Sequence, residues 1–210
     1  MEKLQTVKGT HDLLERDFLL IDEIIKISEK VCRGYNYEKI STPIIEFSDL
    51  FSKTLGQVSD IVQKEMYNFV DQGGEKITLR PEGTAPVARA LISNSLYENI
   101  SQRFFYSGPM FRREKPQAGR LRQFHQFGIE IFNQPSFFCD VEVILIAKTI
   151  LELLGIYKMV RLEINTLGNP ESRKKYKEKL YNFFLRNEKK ISKDSQIRLK
   201  INPLRILDSK

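Results

Sequence analysis

The sequence contains few of the residues from which disulfide and metal sites are built. Its 210 residues include two cysteines and two histidines. Cys32 and Cys139 lie far apart, and two such cysteines form neither a disulfide framework nor a zinc-binding pattern. We expect both to be small buried residues in a reducing cytoplasm. No metal-binding residues are predicted.

Long apolar runs and several common catalytic motifs are also absent. No apolar stretch reaches the roughly 18 residues of a membrane-spanning helix, and the first residues have no apolar signal core. We therefore expect a cytoplasmic protein with no membrane partner. The sequence has no Gly-rich phosphate loop of the P-loop or dinucleotide-binding type and no Ser-His-Asp set. A function built on those motifs is excluded.

Charge, by contrast, is abundant and unevenly distributed. Charged residues make up 29% of the chain and hydrophobic residues 41%, as in soluble globular proteins. The net charge is +7, and residues 171–200, with 11 Lys or Arg and four Asp or Glu, account for all of it. Such a segment attracts polyanions, including RNA. The alternative is an ordinary solvated helix face.

The order of predicted elements favours an α+β fold. Strands that arrive as hairpins, with helices between the groups, indicate an antiparallel sheet flanked by helices. The predicted elements are a helix capped by Asp12 and ended by Gly34, a strand over 35–40, a hairpin of 67–70 and 76–79, a helix over 86–96, long strands over 103–111 and 121–132, a helix over 141–154 capped by Asp140, a strand over 159–165, a helix from Asn169-Pro170 to about Asn187, and a loop over 189–200.

The segment 108–130 is predicted to be a strand, a basic loop and a second strand. Arg112 ends the first strand, so a rigid element holds its guanidinium, which suits bidentate contact with phosphate. Arg120 adds positive charge. Glu114 lies among these cations and can accept from an exocyclic amine or a metal-bound water, and Phe124 can stack on a base. Together these side chains are typical of a nucleotide site.

The returning strand carries polar residues on one face. With the two-residue period of a strand, Phe124, Gln126, Gly128 and Glu130 point the same way. Polar, small and polar side chains on one sheet face suggest the floor of a small-molecule site, with space above Gly128. The alternative is a face that simply meets solvent.

A second polar group lies at the turn between a strand and a helix, over residues 79–84. The chain turns at Pro81 and Gly83, and Glu82 and Thr84 can present a carboxylate and a hydroxyl together. This pair can bind an ammonium group. The alternative is a plain helix N-cap.

These segments together resemble the class II aminoacyl-tRNA synthetases, and among them most closely the histidyl-tRNA synthetases. Residues 43–47 resemble motif 1, residues 111–130 resemble motif 2, and residues 80–84 resemble the loop that binds the substrate amino group. The opening residues 8–12 also resemble the start of these enzymes. The resemblance runs from about residue 4 to the end of the sequence, and its motif 2 is highly specific.

The resemblance implies a class II synthetase-like antiparallel sheet and a histidine–tRNA ligase reaction. Histidine and ATP form histidyl-adenylate with Mg²⁺, and the histidyl group passes to tRNA(His). Motif 1 implies a homodimer. The residue roles that it implies are Arg112 as the catalytic residue on the ATP α-phosphate and the histidine carboxylate, Glu114, Arg120 and Phe124 on ATP, Glu82, Thr84 and Gln126 on the amino group of histidine, and Glu130 on the imidazole.

The sequence departs from this family's pattern in what it does not contain. The 210 residues include no Arg-Gly-x-x-Tyr-Tyr segment, no Gly-rich motif 3 strand and no anticodon-binding domain. The hypothesis is a truncated portion, with a sheet incomplete at its C-terminal side and no activity in isolation. Residues 1–168 are then a partial catalytic core with motifs 1 and 2. Residues 169–210 are a basic helical insertion and the start of the next catalytic segment.

Two alternatives remain at this stage. One is a histidine-sensing regulatory subunit of ATP phosphoribosyltransferase, a relative of the synthetases. Such regulators usually lose the ATP-contacting residues, whereas Arg112, Glu114 and Arg120 are all present here. The other is an RNA-binding module that uses residues 171–200, for which tRNA binding would depend steeply on salt.

Overall fold

A computed structural model of the protein describes residues 4–55, 61–98, 101–114, 119–166 and 168–207. Lys115 and Gln117, from the basic loop of the hairpin, lie outside these residues. The chain divides into two units, Met1–Val160 and Arg161–Lys210. The sequence-based boundary between 168 and 169 followed the predicted functional segments and stays a prediction. Within the described ranges, no helix is long and apolar enough to cross a membrane.

The first unit is built from four helices and six strands within the described residues. They are, in chain order, α1 (Glu15–Gly34), β1 (Glu38–Lys39), β2 (Ile45–Phe47), α2 (Ser48–Leu55), β3 (Tyr67–Val70), β4 (Lys76–Leu79), α3 (Thr84–Ser93), β5 (Gln102–Phe111), β6 (Gln123–Phe132) and α4 (Phe137–Leu153).

Two three-stranded sheets organise this unit. One has the order β1-β5-β6 and the other β2-β4-β3. The antiparallel β5–β6 pair is the longest, with Gln102 opposite Phe132 at one end and Phe111 opposite Gln123 at the other. The only parallel pairing among the described strands is the two-residue contact of β1 with β5. The predicted α+β class, antiparallel strands flanked by helices, is confirmed.

The β5–β6 hairpin carries an apolar cluster on each face. On one face Phe105 packs with Cys32 of α1 and Ile146 of α4, all fully buried. On the other face Met110 packs with Val87 of α3. Because side chains alternate along a strand, odd-numbered residues of the hairpin enter the first cluster and even-numbered residues the second. The even face also carries Gln126 and Glu130, so α3 lies on the side of the predicted site.

Two predicted helix caps are wrong. Helix α1 begins at Glu15 with Leu14 at the N-cap, so Asp12 does not cap it. The carbonyl of Gly9 accepts from the Arg122 backbone N–H at 2.8 Å, which ties the preceding segment to the hairpin. Helix α4 begins at Phe137, where Ser136 supplies the cap. Asp140 lies in its first turn, where a carboxylate complements the helix dipole.

The second unit contains α5 (Pro170–Arg186) and α6 (Lys193–Ile201). The predicted start of α5 is confirmed, because the Asn169 side chain accepts from the Ser172 N–H at 2.7 Å. The loop predicted over 189–200 is wrong, because α6 forms there and Ser192 caps it. Helix α6 packs against the turn that contains Ile206, and both Leu199 and Ile206 are buried. A helix cap and a tertiary contact therefore stabilise a helix in a segment whose polar composition predicted a loop.

The strand predicted over 159–165 is also wrong. These residues follow a 3₁₀ turn, Tyr157–Met159, and no strand pairs with them in the described part of the chain. Met159 and Ile164 are 85% and 75% exposed. An apolar alternating segment has strand propensity, but it becomes a strand only when a neighbour accepts and donates its backbone hydrogen bonds.

Candidate active site

The turn between β4 and α3 is held by Glu82. Its two carboxylate oxygens accept from the first backbone N–H groups of α3, at 2.6 Å from Thr84 N and 2.9 Å from Ala85 N. The carboxylate thus pairs with free N–H groups at the start of α3, although the N-cap residue itself is Gly83. Glu82 is only 7% exposed, and the positive end of the helix stabilises its charge. Each oxygen keeps acceptor capacity for a further donor.

Thr84 joins this turn to strand β6. Its hydroxyl Oγ1 donates to Glu130 Oε1 at 2.7 Å. Burial raises the pKa of Glu130 above its ordinary value, and donation by the Thr84 and Tyr106 hydroxyls opposes that rise, while the nearby Glu82 charge adds to it. Two carboxylates therefore share one half-buried region, where a cation is favoured.

Gln126 supplies a further acceptor on the same face. It lies opposite Gly108 in the β5–β6 register. Its Oε1 atom is buried and has no hydrogen-bond partner among the described residues. A buried acceptor without a donor is unfavourable unless a ligand or water supplies the missing hydrogen. Gln126 Oε1 can therefore accept a hydrogen bond from an N–H or O–H group of a ligand.

Tyr106 is a site residue that the sequence reasoning missed. It lies opposite Gly128 in the register, it is 4% exposed, and its ring touches two glycines: a Cβ atom added at Gly83 or at Gly128 would overlap it. The predicted space above Gly128 is therefore wrong as stated, because the Tyr106 ring fills it. The signal was available, since an aromatic residue paired with a glycine across two strands covers that glycine.

Arg112 connects the hairpin to the Glu82 turn. Its Nε donates to the carbonyl of Pro81, the residue before Glu82, at 2.9 Å. Its guanidinium carbon lies 5.1 Å from the centre of the Phe124 ring, a cation–π distance. Within the described residues its terminal nitrogens make no hydrogen bond, and Nη1 lies 4.0 Å from Glu114 Oε1. Two N–H-bearing atoms are thus held in place for an anionic ligand.

Glu114 and Arg120 form a salt bridge at the mouth of the hairpin. Arg120 Nη1 donates to Glu114 Oε2 at 3.1 Å, and 60% of the Arg120 side chain is exposed. Because its side chain is exposed to solvent, Arg120 can also turn to an incoming polyphosphate. Arg112, Arg120 and Phe124 therefore make the cationic part of the site, next to the acceptors on the Glu82 turn and β6.

No group of three or more His, Cys, Asp or Glu side chains that could hold a metal occurs in the part of the chain that the structure describes. The carboxylates of the site are engaged with backbone N–H groups, a hydroxyl and arginines.

The helices packed on an antiparallel hairpin, with an arginine fixed at the end of its outgoing strand, define the fold of a class II aminoacyl-tRNA synthetase core. A family model described as histidyl-tRNA synthetase matches residues 9–169, and the chain belongs to that family.

Relatives and solved structures agree with this placement. The chain is 48% identical over 210 residues to a histidine–tRNA ligase from Gluconobacter oxydans (strain 621H), covering 100% of the chain and 51% of the relative. A ligase from Streptococcus suis (strain 05ZYH33) is 49% identical over 211 residues, covering 99% and 49%. The crystal structure of the apo S. aureus histidyl-tRNA synthetase matches with a TM-score of 0.74 and 35% identity, covering 99% of this chain and 49% of that one.

A further structure, an ATP phosphoribosyltransferase regulatory subunit/histidyl-tRNA synthetase from Bacillus halodurans C, matches with a TM-score of 0.62 and 26% identity over 72% of this chain and 38% of that one. The chain spans about half the length of the curated relatives it matches.

Proposed function

We propose that these residues form the ATP- and histidine-binding side of a histidine–tRNA ligase. The observation that carries the proposal is the 2.9 Å bond from Arg112 Nε to the Pro81 carbonyl, which fixes a phosphate-binding cation beside the Glu82 acceptor turn. Family membership and the names of the relatives support the same activity. The protein then acts on histidine, ATP and tRNA(His) in the cytoplasm.

In the first step, a histidine carboxylate oxygen forms a bond to the α-phosphorus of ATP, and the bond to the β-phosphate oxygen breaks, releasing pyrophosphate. Negative charge builds on the α-phosphate oxygens as this happens. The Arg112 guanidinium, held by Pro81 and Phe124, donates to those oxygens and to the attacking carboxylate. Fixed donors lower such a barrier by several kcal/mol because they need no reorganisation. In the second step the terminal ribose hydroxyl of tRNA takes the histidyl group and AMP leaves.

The acceptors of the site take the two nitrogen-bearing ends of histidine. We assign the α-ammonium group to Glu82, Thr84 and Gln126, which satisfies the buried Gln126 Oε1. We assign the imidazole to Glu130. A site whose buried acceptors need N–H donors rejects apolar amino acids strongly, because their binding would leave those acceptors unpaired.

The cationic side takes ATP. Arg120 and Glu114 separate to bind phosphate and adenine amine, and Phe124 stacks on the base. Mg²⁺ accompanies ATP in this proposal. The described residues contain no group of three or more His, Cys, Asp or Glu side chains that could hold a metal, so we assign no protein ligand to the metal and derive no step from it.

A homodimer through the motif 1 region is part of the proposal. Strand β2 exposes Ile45 and Phe47, and helix α1 exposes Phe18, Leu19 and Leu20. Exposed apolar residues of this kind are typical of a surface that another chain covers.

Amino-acid-dependent exchange of pyrophosphate into ATP tests the function. The gene product, purified at its natural length, should catalyse exchange with histidine and with none of the other 19 standard amino acids. The 210 residues alone should be inactive or nearly so, because they span about half the length of the relatives they match. Exchange that depends on a different amino acid would contradict the proposal. Full histidine-dependent exchange by the 210 residues alone would contradict the expected inactivity of this portion and leave the ligase function standing.

The regulatory subunit remains the second candidate because the Bacillus halodurans protein carries both names. It predicts histidine binding with no exchange at all, together with altered phosphoribosyltransferase activity in a partner. The retained Arg112, Glu114 and Arg120 favour the ligase.

Replacing Glu130 by glutamine should separate binding from stability. Burial raises the folded-state pKa of Glu130, so the folded protein holds more protons than the unfolded one between the two pKa values, and stability falls as pH rises through that window. Glu130→Gln removes this penalty and keeps an acceptor for Thr84. At pH 7 we expect unchanged or slightly higher stability, within about 1 kcal/mol, and histidine affinity at least about 10-fold weaker.

Urea unfolding and calorimetric titration with histidine measure these two quantities. Glu178→Gln, which changes an exposed glutamate of α5, is the matched control and should alter neither. A large loss of stability in Glu130→Gln with normal histidine binding would show that Glu130 is structural.

A further inference from the structure

Tyr106 is buried where the acceptors of the site meet. Its hydroxyl oxygen lies against Gly83 and Gly128, because a Cβ atom added at either glycine would overlap it. Beside it, Thr84 donates to Glu130 Oε1. The Tyr106 hydroxyl therefore lies between Gly83, which directly precedes Thr84, and Gly128, which shares the β6 face of Glu130.

The backbone on both sides of the Tyr106 ring is glycine. Gly83 belongs to the acceptor turn and Gly128 to β6, and any side chain at either position would overlap the ring. Neither glycine has a positive φ angle, so the backbone conformation does not demand glycine there. Glycine is needed at both positions because the Tyr106 ring leaves no room for a side chain there.

We propose that Tyr106 is a positioning residue for histidine specificity, whose hydroxyl, placed between the acceptor turn and β6, helps to hold the Glu130 carboxylate in the orientation that meets the imidazole. This inference rests on the proposed ligase function. A carboxylate that is bonded by Thr84 and flanked by the Tyr106 hydroxyl has a restricted orientation, and its remaining lone pairs can accept from an N–H of the ligand. Tyr106 acts through Glu130 and is not itself a reacting group.

The ionisation of Glu130 depends on every charged group around it. Glu82, from the turn before α3, raises its pKa, and the Tyr106 and Thr84 hydroxyls lower it. Arg80 acts on Tyr106 from the end of β4. Because a hydroxyl donor stabilises the charged form, removal of the Tyr106 hydroxyl raises the Glu130 pKa further. Histidine recognition is then lost at a higher pH as the solution is acidified.

The Tyr106→Phe variant of the natural-length protein tests this relation, because it keeps the ring that fills the space between the glycines. Pyrophosphate exchange is measured from about pH 5.5 to pH 8.5. We expect the acid limb of kcat/KM for histidine to move to higher pH, and KM for histidine to rise about 10-fold near pH 6 and less near pH 8.5. KM for ATP should stay within about 2-fold.

Tyr37→Phe is the matched control. Tyr37 is equally buried, and its hydroxyl donates to Glu142 at 2.8 Å, in the α1–α4 cluster. Its loss should lower stability without moving the acid limb. As a second arm, Gly128→Ala should raise KM for histidine because its methyl group displaces the Tyr106 ring. The double variant Gly128→Ala with Tyr106→Ala should raise KM for histidine by less than the product of the two separate increases.

The possible outcomes distinguish a failure of the Tyr106 inference from a failure of the proposed function. An acid limb that stays in place in a folded Tyr106→Phe variant would overturn the inference and leave the ligase function standing. Equal rises in KM for histidine and for ATP would also overturn it, because they indicate a general structural effect. A wild-type protein with no histidine-dependent exchange would instead overturn the proposed function, and the Tyr106 role with it.

Discussion

An Arg112→Ala variant is expected to lose histidine-dependent pyrophosphate exchange by about 10²–10³-fold. The side chain is held by the Pro81 carbonyl at 2.9 Å and lies over Phe124, so its donors are in place before charge develops on the phosphate. Alanine removes a donor that acts mainly in the transition state. The loss should therefore fall on kcat more than on KM for ATP or histidine.

Two further variants sharpen this result. Arg112→Lys keeps the charge but lacks the fork that bonds Pro81 and phosphate together, so its activity should lie between those of wild type and alanine. Arg113→Ala, which alters the exposed neighbour, is the matched control and should keep near-normal exchange. Equal losses in Arg112→Ala and Arg113→Ala would mean that the basic loop contributes only general charge.

Arg80→Ala is expected to destabilise the first unit by about 3–5 kcal/mol. Arg80 is 6% exposed, and its guanidinium donates to the Pro109 carbonyl at 3.0 Å and to the Thr42 carbonyl and hydroxyl at 2.8 and 3.1 Å. Its removal leaves buried carbonyls without donors. It also frees the turn that carries Glu82, so histidine affinity should fall with stability.

Urea unfolding of the full chain, with a tyrosine signal, measures the loss. The control is Arg173→Ala, which removes an exposed arginine of α5 and should change stability by less than about 0.5 kcal/mol. An Arg80→Ala protein as stable as the control would show that water satisfies these carbonyls and that the turn is held by other contacts.

The sequence was most informative where a single period decides structure. Strands β5 and β6 have long alternating patterns, so their limits and the shared face of Gln126 and Glu130 followed from a two-residue repeat. The cap of α5 followed from Asn169-Pro170, a strong local signal. In each case the deciding interactions lie within a few residues of one another.

Contacts between distant residues explain what was missed. The bond from Thr84 to Glu130 joins residues 46 positions apart, and no local rule indicates it. In the sequence Tyr106 is one aromatic residue among several, and only the register of β5 and β6 shows that it lies opposite Gly128. Helix α6 forms in a polar segment because Leu199 and Ile206 are buried. The residues 159–165 have strand propensity but no strand beside them in the described part of the chain.

A crystal structure of the natural-length protein with a non-hydrolysable histidyl-sulfamoyl adenosine tests most directly whether one hairpin face brings histidine and ATP together. We predict that the sulfamoyl oxygens accept from the Arg112 terminal nitrogens, the ammonium group contacts Gln126 Oε1, and the imidazole meets Glu130. A ligand bound elsewhere, or one bound on this face with its imidazole directed away from Glu130, would contradict the assignment.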